Sequence, residues 1–299
     1  MLDELLSRFY AHDRFALARV LTLISRGEQL DALRGGLLPK KEHTRVVAIT
    51  GNSGVGKSTL VGKLAELFRA KGKTVAVLAC DPQSPVTGGA VLGDRVRMPS
   101  RPEDPGLYIR SLAATSGHQA VAEHVDLMIR ALAEFGFDLI LLETVGAGQG
   151  DTAVRELADI VVLLVQPESG DELQWEKAGL LEVADVVVVH KADLAGAERT
   201  QSQVKELLSL PGCREISVLR VSSAKGQGLD ELWSEISALP TRHPVTDSDA
   251  QFLLRRAQQV LAERFRDRTG DVTPVVDRWK RQELDEVQAA DALLHMLIQ

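Results

Sequence analysis

Residues 51 to 59 read GNSGVGKST and match the phosphate-binding pattern GxxxxGK[ST] at every fixed position. The motif follows an apolar run at 46–50 and precedes a stretch with helical spacing at 60–70. Glycines in such a turn let the backbone wrap phosphates, and the helix start directs several N–H groups toward them. The sequence therefore predicts a strand, a P-loop and a helix that bind a nucleoside triphosphate.

The residues of this loop have separate expected roles. Lys57 would reach the β- and γ-phosphates, and the hydroxyl of Ser58 would bind Mg²⁺. A turn that merely joins a strand to a helix is the alternative, and the adjacent Gly-Lys-Ser-Thr disfavours it. The other candidate nucleotide contacts of the loop are Asn52, Ser53, Gly54, Val55, Gly56 and Thr59.

Val/Ile/Leu-rich runs alternate with helix-like segments from about residue 45 to 240. The runs lie at 46–50, 74–79, 139–142, 160–165, 186–189 and 216–221. Continuous apolar strands separated by helices are typical of a parallel sheet covered on both faces. We therefore predict an α/β P-loop NTPase fold. A helical extension at 1–42 would precede the nucleotide domain at 43–242, and a helical segment at 243–299 would follow it.

The charge, apolar content and cysteine spacing of the chain disfavour several classes of function. The net charge of −7 disfavours a nucleic-acid binder. No run approaches the roughly 18 apolar residues of a membrane span, so no membrane partner is expected. Two cysteines without a CxxC pair disfavour a disulfide framework or a zinc site. The first residues lack a secretion-signal pattern, which makes the cytoplasm the expected location.

Two later segments suggest which nucleotide is bound. His190, Lys191 and Asp193 follow an apolar run and resemble the NKxD motif of GTPases, in which the aspartate accepts from the guanine ring N–H and amine. His190 stands where that motif has asparagine, and an imidazole lacks the paired donor and acceptor of an amide. The stretch Ser222-Ser223-Ala224 resembles the SAxxGxG segment that meets the guanine oxygen. Both Ser222-Ser223 and Ser223-Ala224 are possible reading pairs, and the glycine spacing favours the first.

Glu143 begins an ExxG motif at the end of the run 139–142. Most GTPases have DxxG here, with the carboxylate turned toward the Mg²⁺ shell. The glutamate version resembles a branch of P-loop GTPases that serve as metallocentre and cofactor chaperones. A carboxylate that caps the following turn is the simpler alternative.

Residues 80 to 98, CDPQSPVTGGAVLGDRVRM, narrow the resemblance further. They resemble the DPSSPxTGGxxLGDxxRM segment of the GTPase chaperones of methylmalonyl-CoA mutase, known as MeaB, ArgK and MMAA. The segment ETVGAGQGD at 143–151 and the segment from Glu168 to Gln174, with Lys177, support the same family. The matches cover about residues 10 to 240. The sequence departs from the family at His190, at Trp175 and at Ser116, which begins a segment that lacks the usual LGG.

The resemblance implies roles for particular residues. Asp81 would lie in the Mg²⁺ shell through water, with Ser58 and Glu143, and Asp94 would lie in a switch loop that responds to the γ-phosphate. Gln149 would position water, and Lys177 would transmit activation by a partner. The implied cofactors are GTP or GDP and Mg²⁺. The implied catalytic residues are Lys57, Asp94, Glu143, Gln149 and Lys177.

The first functional hypothesis is a cytoplasmic GTPase of low intrinsic activity that gates loading or protection of adenosylcobalamin in an acyl-CoA mutase. The resemblance also implies a homodimer, which we expect residues 243–299 to form. A P-loop kinase is the alternative, since the segment 95–110 is rich in arginine. A nickel chaperone is a weaker option because histidine and cysteine clusters are lacking. The sequence leaves the mutase open among those for methylmalonyl-CoA, isobutyryl-CoA and 2-hydroxyisobutyryl-CoA.

Overall fold

A computed structural model describes residues 2–37, 44–82, 104–114, 121–145, 152–167, 178–210, 214–241 and 272–298, with 257, 261, 264 and 265. The chain divides into two compact units, Met1–His243 and Pro244–Gln299.

The described residues of the first unit form a seven-stranded sheet in the order β3-β2-β4-β1-β5-β6-β7. Every pair of neighbouring strands is parallel. Strands β4, β5 and β6 are buried along their whole length, as the continuous apolar runs predict. The strands are β1 Arg45–Gly51, β2 Val75–Pro82, β3 Leu107–Ala114, β4 Leu139–Glu143, β5 Ile160–Val165, β6 Val186–His190 and β7 Ser217–Val221.

Helices cover both faces of this sheet. Alternate residues of β1 point to opposite faces, so Val46 and Ala48 belong to one buried cluster and Val47 and Ile49 to another. The predicted α/β P-loop fold is confirmed. The helices of this unit are α1 Leu2–Tyr10, α2 Arg14–Ser25, α3 Leu30–Gly36, α4 Lys57–Ala70, α5 Val125–Phe135, α6 Thr152–Leu157, α7 Ala178–Val183, α8 Ala197–Leu208 and α9 Leu229–Ala238.

The N-terminal helices pack on the sheet within this same unit. Asp13 caps α2 by accepting from the N–H groups of Phe15 and Ala16. The Arg14 guanidinium then donates to the carbonyl oxygens of Asp104, at 2.9 Å, and Leu107, at 2.5 Å. Helices α1 and α2 share a buried cluster with α5, so the region predicted as an extension contributes to the core.

Strand β3 has no counterpart among the predicted runs. Its sequence, LYIRSLAA, places Arg110 and Ser111 in the middle, which breaks the apolar run that marks a central strand. Among the described strands it lies at the edge of the sheet and pairs with β2 alone. Arg110 turns toward α2, where its guanidinium lies 3.4 Å from the hydroxyl oxygen of Thr22.

The second unit contains α10, Thr273–Lys280, and α11, Glu286–Ile298, which pack on each other. From the sequence, Pro274 is expected to separate two helices. It lies instead in the first turn of α10, where the missing N–H of proline breaks no hydrogen bond of the helix. In the part of the chain that the structure describes, no helix combines the length and apolar character that a membrane crossing requires.

Candidate nucleotide-binding site

The phosphate-binding loop joins the central strand β1 to α4, and its glycines are required by its backbone. Gly51 has a φ of 144°, and a Cβ atom there would lie 2.6 Å from the carbonyl oxygen of Leu164. Gly54 and Gly56 have φ values of 76° and 102°, which L side chains rarely adopt. The loop can therefore approach a phosphate closely only with these residues.

Lys57 lies over its own loop. Its Nζ donates to the carbonyl oxygens of Gly51, at 2.9 Å, and Asn52, at 3.1 Å. The side chain is buried, so the ammonium is held at the start of α4, where N–H groups and the helix dipole also attract anions. Ser53, before Lys57 in the chain, and Thr59, after it, are both exposed.

The carboxylate of Glu143 joins the end of β4 to the phosphate-binding loop. Ser58 Oγ donates to Glu143 Oε1 at 2.6 Å, and the two residues are 8% and 2% exposed. Thr144 continues the link to β1, because its N–H donates to Ile49 O and its hydroxyl to Thr50 Oγ1, both at 3.1 Å. The strand end and the loop are therefore coupled through buried hydrogen bonds.

Asp81 lies at the same edge of the sheet as Glu143. Strand β2 pairs with β4, and Ala79 is the register partner of Glu143, so Asp81 follows two residues beyond that pair. Asp81 is buried, like Glu143 and Ser58. The structure thus brings the three described residues of the predicted Mg²⁺ shell to one edge.

His190 contacts two loops at once. Its Nδ1 lies 2.7 Å from Val55 O and its Nε2 lies 2.7 Å from Ser223 Oγ. A carbonyl oxygen only accepts, so Nδ1 carries a proton and, in the neutral ring, Nε2 accepts from the Ser223 hydroxyl. Burial lowers the pKa of His190, which favours this neutral ring.

The carboxylate of Asp193 is held by the loop that follows β7. The Ser222 hydroxyl donates to Asp193 Oδ1, and the Ser222 Oγ accepts from the Lys225 N–H at 3.2 Å. This hydroxyl is the main cause that lowers the pKa of Asp193, which keeps the carboxylate an ionised acceptor. Ser222 also exchanges both main-chain hydrogen bonds with Gln227.

Lys191 bridges two further segments at this site. Its Nζ donates to Gly54 O at 3.0 Å and to Gln166 Oε1 at 3.1 Å, and its backbone φ is 56°. Sequence reasoning did not include Gln166. The available signal is that Gln166 is the first polar residue after the apolar run of β5, at the edge where the other site residues lie.

Asp94, Gln149 and Lys177 lie outside the described residues, as do Ser116 and Trp175. Among the described residues, no group of three His, Cys, Asp or Glu side chains is arranged to hold a metal ion. Burial raises the pKa of Cys80 to about 12, so this thiol is protonated at neutral pH.

Comparison with known proteins defines first a class and then a family. A solved structure of an LAO/AO transport system kinase superposes with a TM-score of 0.66 and 22% identity, covering 100% of this chain and 98% of that chain. Together with the P-loop geometry, this likeness places the chain in the P-loop NTPase class. A Pyrococcus abyssi protein named as a GTPase is 34% identical over 320 residues, covering 100% of this chain and 97% of the relative.

A family model for methylmalonyl Co-A mutase-associated GTPase MeaB matches residues 17–272. The chain belongs to this family and is a GTPase that binds guanine nucleotides. The mouse mitochondrial methylmalonic aciduria type A homolog is 37% identical over 194 residues, which cover 62% of this chain and 47% of that protein. The family predicted from residues 80–98 and the motifs after them is confirmed.

Proposed function

We propose that this chain is a Mg²⁺-dependent GTPase that gates the loading or protection of adenosylcobalamin in an acyl-CoA mutase. One observation carries the gating argument, the 2.6 Å hydrogen bond from Ser58 Oγ to Glu143 Oε1. It joins the phosphate-binding loop to the strand end from which residues 144–150 continue. A change in what Ser58 binds therefore acts directly on that segment, which is how nucleotide state reaches a partner. The family description supports a mutase as that partner.

The donor set of the site suits Mg²⁺. This ion prefers oxygen ligands, and it combines one or two protein groups with phosphate oxygens and water. The Ser58 hydroxyl and the buried carboxylates of Asp81 and Glu143 are oxygen donors at one sheet edge. Ser58 would bind the ion directly, the two carboxylates would bind its waters, and Asp94 remains a fourth candidate. The bound ion would neutralise charge on the β- and γ-phosphates.

Guanine would be read at Asp193 and at the loop after β7. The N–H groups of Ser222 and Lys225 are engaged in hydrogen bonds within the protein. The hydrogen bonds of the described residues leave the N–H groups of Ser223 and Ala224 available. We therefore assign the guanine oxygen to this second pair, in preference to the register that the glycine spacing favours.

Lys57 would hold the β- and γ-phosphates, as the sequence predicts. Gln149 and Lys177 remain the proposed residues for positioning water and for transmitting activation by the mutase. These roles rest on the resemblance of the segments 143–151 and 168–177 to motifs of the family.

We further propose that residues 243–299 form a homodimer, beside a GTPase domain at 43–242. Helix α11 packs through one face that includes Ala292, Leu293 and Met296, which are partly buried. Val287 and Leu294, seven residues apart on the opposite face, are 70% and 37% exposed. Apolar residues with this spacing suit a helix that meets a second copy.

Light scattering tests the dimer with a variant that carries Val287→Glu and Leu294→Glu. We expect it to be monomeric, and a His295→Glu variant, altered at an exposed polar position of the same helix, to remain dimeric. A dimer of unchanged stability in the double variant would reject the assignment of this face.

Phosphate release from GTP, with and without a purified mutase, tests the proposed function. The three arms would be the adenosylcobalamin-dependent mutases for methylmalonyl-CoA, isobutyryl-CoA and 2-hydroxyisobutyryl-CoA. We expect slow release alone, a requirement for Mg²⁺, and acceleration by one of the mutases. Ser58→Ala should lose the phosphate release that Mg²⁺ supports in the wild-type protein, whereas Ser234→Ala, on the exposed side of α9, should behave as wild type.

Two results would contradict this proposal. Acceleration by none of the three mutases would reject the partner and leave the GTPase assignment intact. Transfer of the γ-phosphate to an acceptor, with little release to water, would favour the P-loop kinase instead.

A further inference from the structure

The side chain of His190 links the phosphate-binding loop to the loop after β7. Val55 lies 135 residues before His190, and Ser223 lies 33 residues after it. Each is joined to the imidazole by a 2.7 Å hydrogen bond. Both ring nitrogens are therefore engaged with the protein, so the ring has no remaining donor or acceptor for a base.

The surroundings fix the ring in place. His190 is buried, and a Cβ atom on Gly56 would lie 2.5 Å from its Cε1 atom and 2.6 Å from its Nδ1 atom. The glycine thus packs its backbone directly against the imidazole. The ring lies between the loop that receives phosphates and the loop that contains Ser223 and Ala224.

We propose that His190 is a positioning residue that sets the distance between the phosphate-binding loop and the guanine-binding loop through Val55 and Ser223, without touching the nucleotide. A nucleotide spans both loops and binds tightly only when they are held at the matching separation. A protein that already holds this separation loses less conformational freedom on binding. His190 should therefore govern how tightly nucleotides bind, and Asp193 should govern which base is chosen.

The inference depends on the guanine site proposed above, and the two are tested separately. Tighter binding of GDP than of ADP by the wild-type protein tests the site. A double-mutant cycle between His190 and Ser223 tests the link. The dissociation constants would be measured with fluorescent analogues of GDP and ADP.

The cycle uses Ser223→Ala, His190→Ala and the double variant, with Ser234→Ala as the matched loss of a hydroxyl elsewhere. Loss of one hydrogen bond should weaken GDP binding about fivefold in Ser223→Ala, and loss of both about 25-fold in His190→Ala. The double variant should bind GDP as His190→Ala does, because the Ser223 hydroxyl has then already lost its partner. The ratio of ADP to GDP dissociation constants should change less than about twofold in all of them.

Several outcomes would overturn the proposal. Multiplicative losses in the double variant would show that the two residues act separately. A change of about tenfold or more in the ADP to GDP ratio of His190→Ala would show that the ring reads the base. If His190→Ala does not fold, His190→Phe keeps a buried ring and completes the cycle. If neither folds, GDP affinity of Ser223→Ala equal to that of Ser234→Ala rejects the link.

Discussion

Replacement of Gly56 by alanine should destabilise the protein through the ring of His190. Gly56 has a φ of 102°, and the new Cβ would lie 2.5 Å from the Cε1 atom of that ring. A flexible side chain would move aside at little cost. This ring is buried and hydrogen-bonded through both nitrogens at 2.7 Å, so it can move only by breaking those bonds.

The magnitude follows from these two effects. A non-glycine residue in a backbone conformation of this kind costs about 1–3 kcal/mol. Each lost hydrogen bond of His190 adds about 1 kcal/mol. We therefore expect Gly56→Ala to lower the free energy of unfolding by about 3–5 kcal/mol. Gly54→Ala is the matched control, because its φ is 76° and no atom lies within 4 Å of the new Cβ. It should cost only the backbone part, about 1–3 kcal/mol.

Urea unfolding followed by circular dichroism measures both values, with the slope of the transition as a check that the same structure unfolds. The double variant Gly56→Ala with His190→Ala removes the ring. Adding His190→Ala to Gly56→Ala should then lower the free energy of unfolding little further. Equal stabilities of Gly56→Ala and Gly54→Ala would refute the reasoning, since the ring would then present no obstacle.

Three further predictions concern the site. Ser58→Ala should lower the free energy of unfolding by about 1.5–3 kcal/mol without nucleotide, because it removes a buried hydrogen bond to a carboxylate; urea unfolding to the wild-type midpoint would contradict this. Burial holds the pKa of His190 below 6.5. The contribution of His190 to stability should therefore fall as pH drops below 6.5, where the unfolded chain binds the proton first, and should stay constant above it. A His190→Asn variant should lose this dependence in urea titrations at several pH values. Asp193→Asn should weaken GTP binding roughly tenfold or more and favour xanthosine triphosphate, whose ring oxygen accepts from the new amide; retained GTP preference in competition binding would exclude this residue as the selector.

The central strands could be predicted because each is a short apolar run next to a turn signal. The run 46–50 lies within β1, which is one residue longer at each end, and the run 160–165 has the same bounds as β5. Strand β3 could not be predicted in this way. Its Arg110 contacts Thr22 on α2, and no local sequence pattern can show a contact so distant in sequence. An edge strand covered by a helix thus carries no continuous apolar signal.

Candidate site residues could be proposed from the sequence where a motif is contiguous, and not where the role of a residue depends on a contact distant in sequence. Glu143 and Asp193 were proposed as site residues because Glu143 ends a strand and Asp193 follows one, each at a fixed offset from other motif residues. The role of His190 was not, because Val55 and Ser223 approach it only through the order of the strands. As a departure from asparagine it suggested weaker base recognition. As a buried ring between two loops it has a different role, which only geometry reveals.

The phosphate-binding loop is held from two sides, and we propose that these two sides respond differently to nucleotide. From the β4 side, Glu143 accepts from Ser58, the residue proposed to bind Mg²⁺. From the β6 side, His190 contacts Val55, and no metal ligand is involved. These strands lie on opposite sides of β1. In the proposed function, hydrolysis or loss of the ion would change what Ser58 binds and would leave the hydrogen bond between His190 and Val55 in place. We therefore propose that a partner reads the nucleotide state from the β4 side, where the chain continues into residues 144–150.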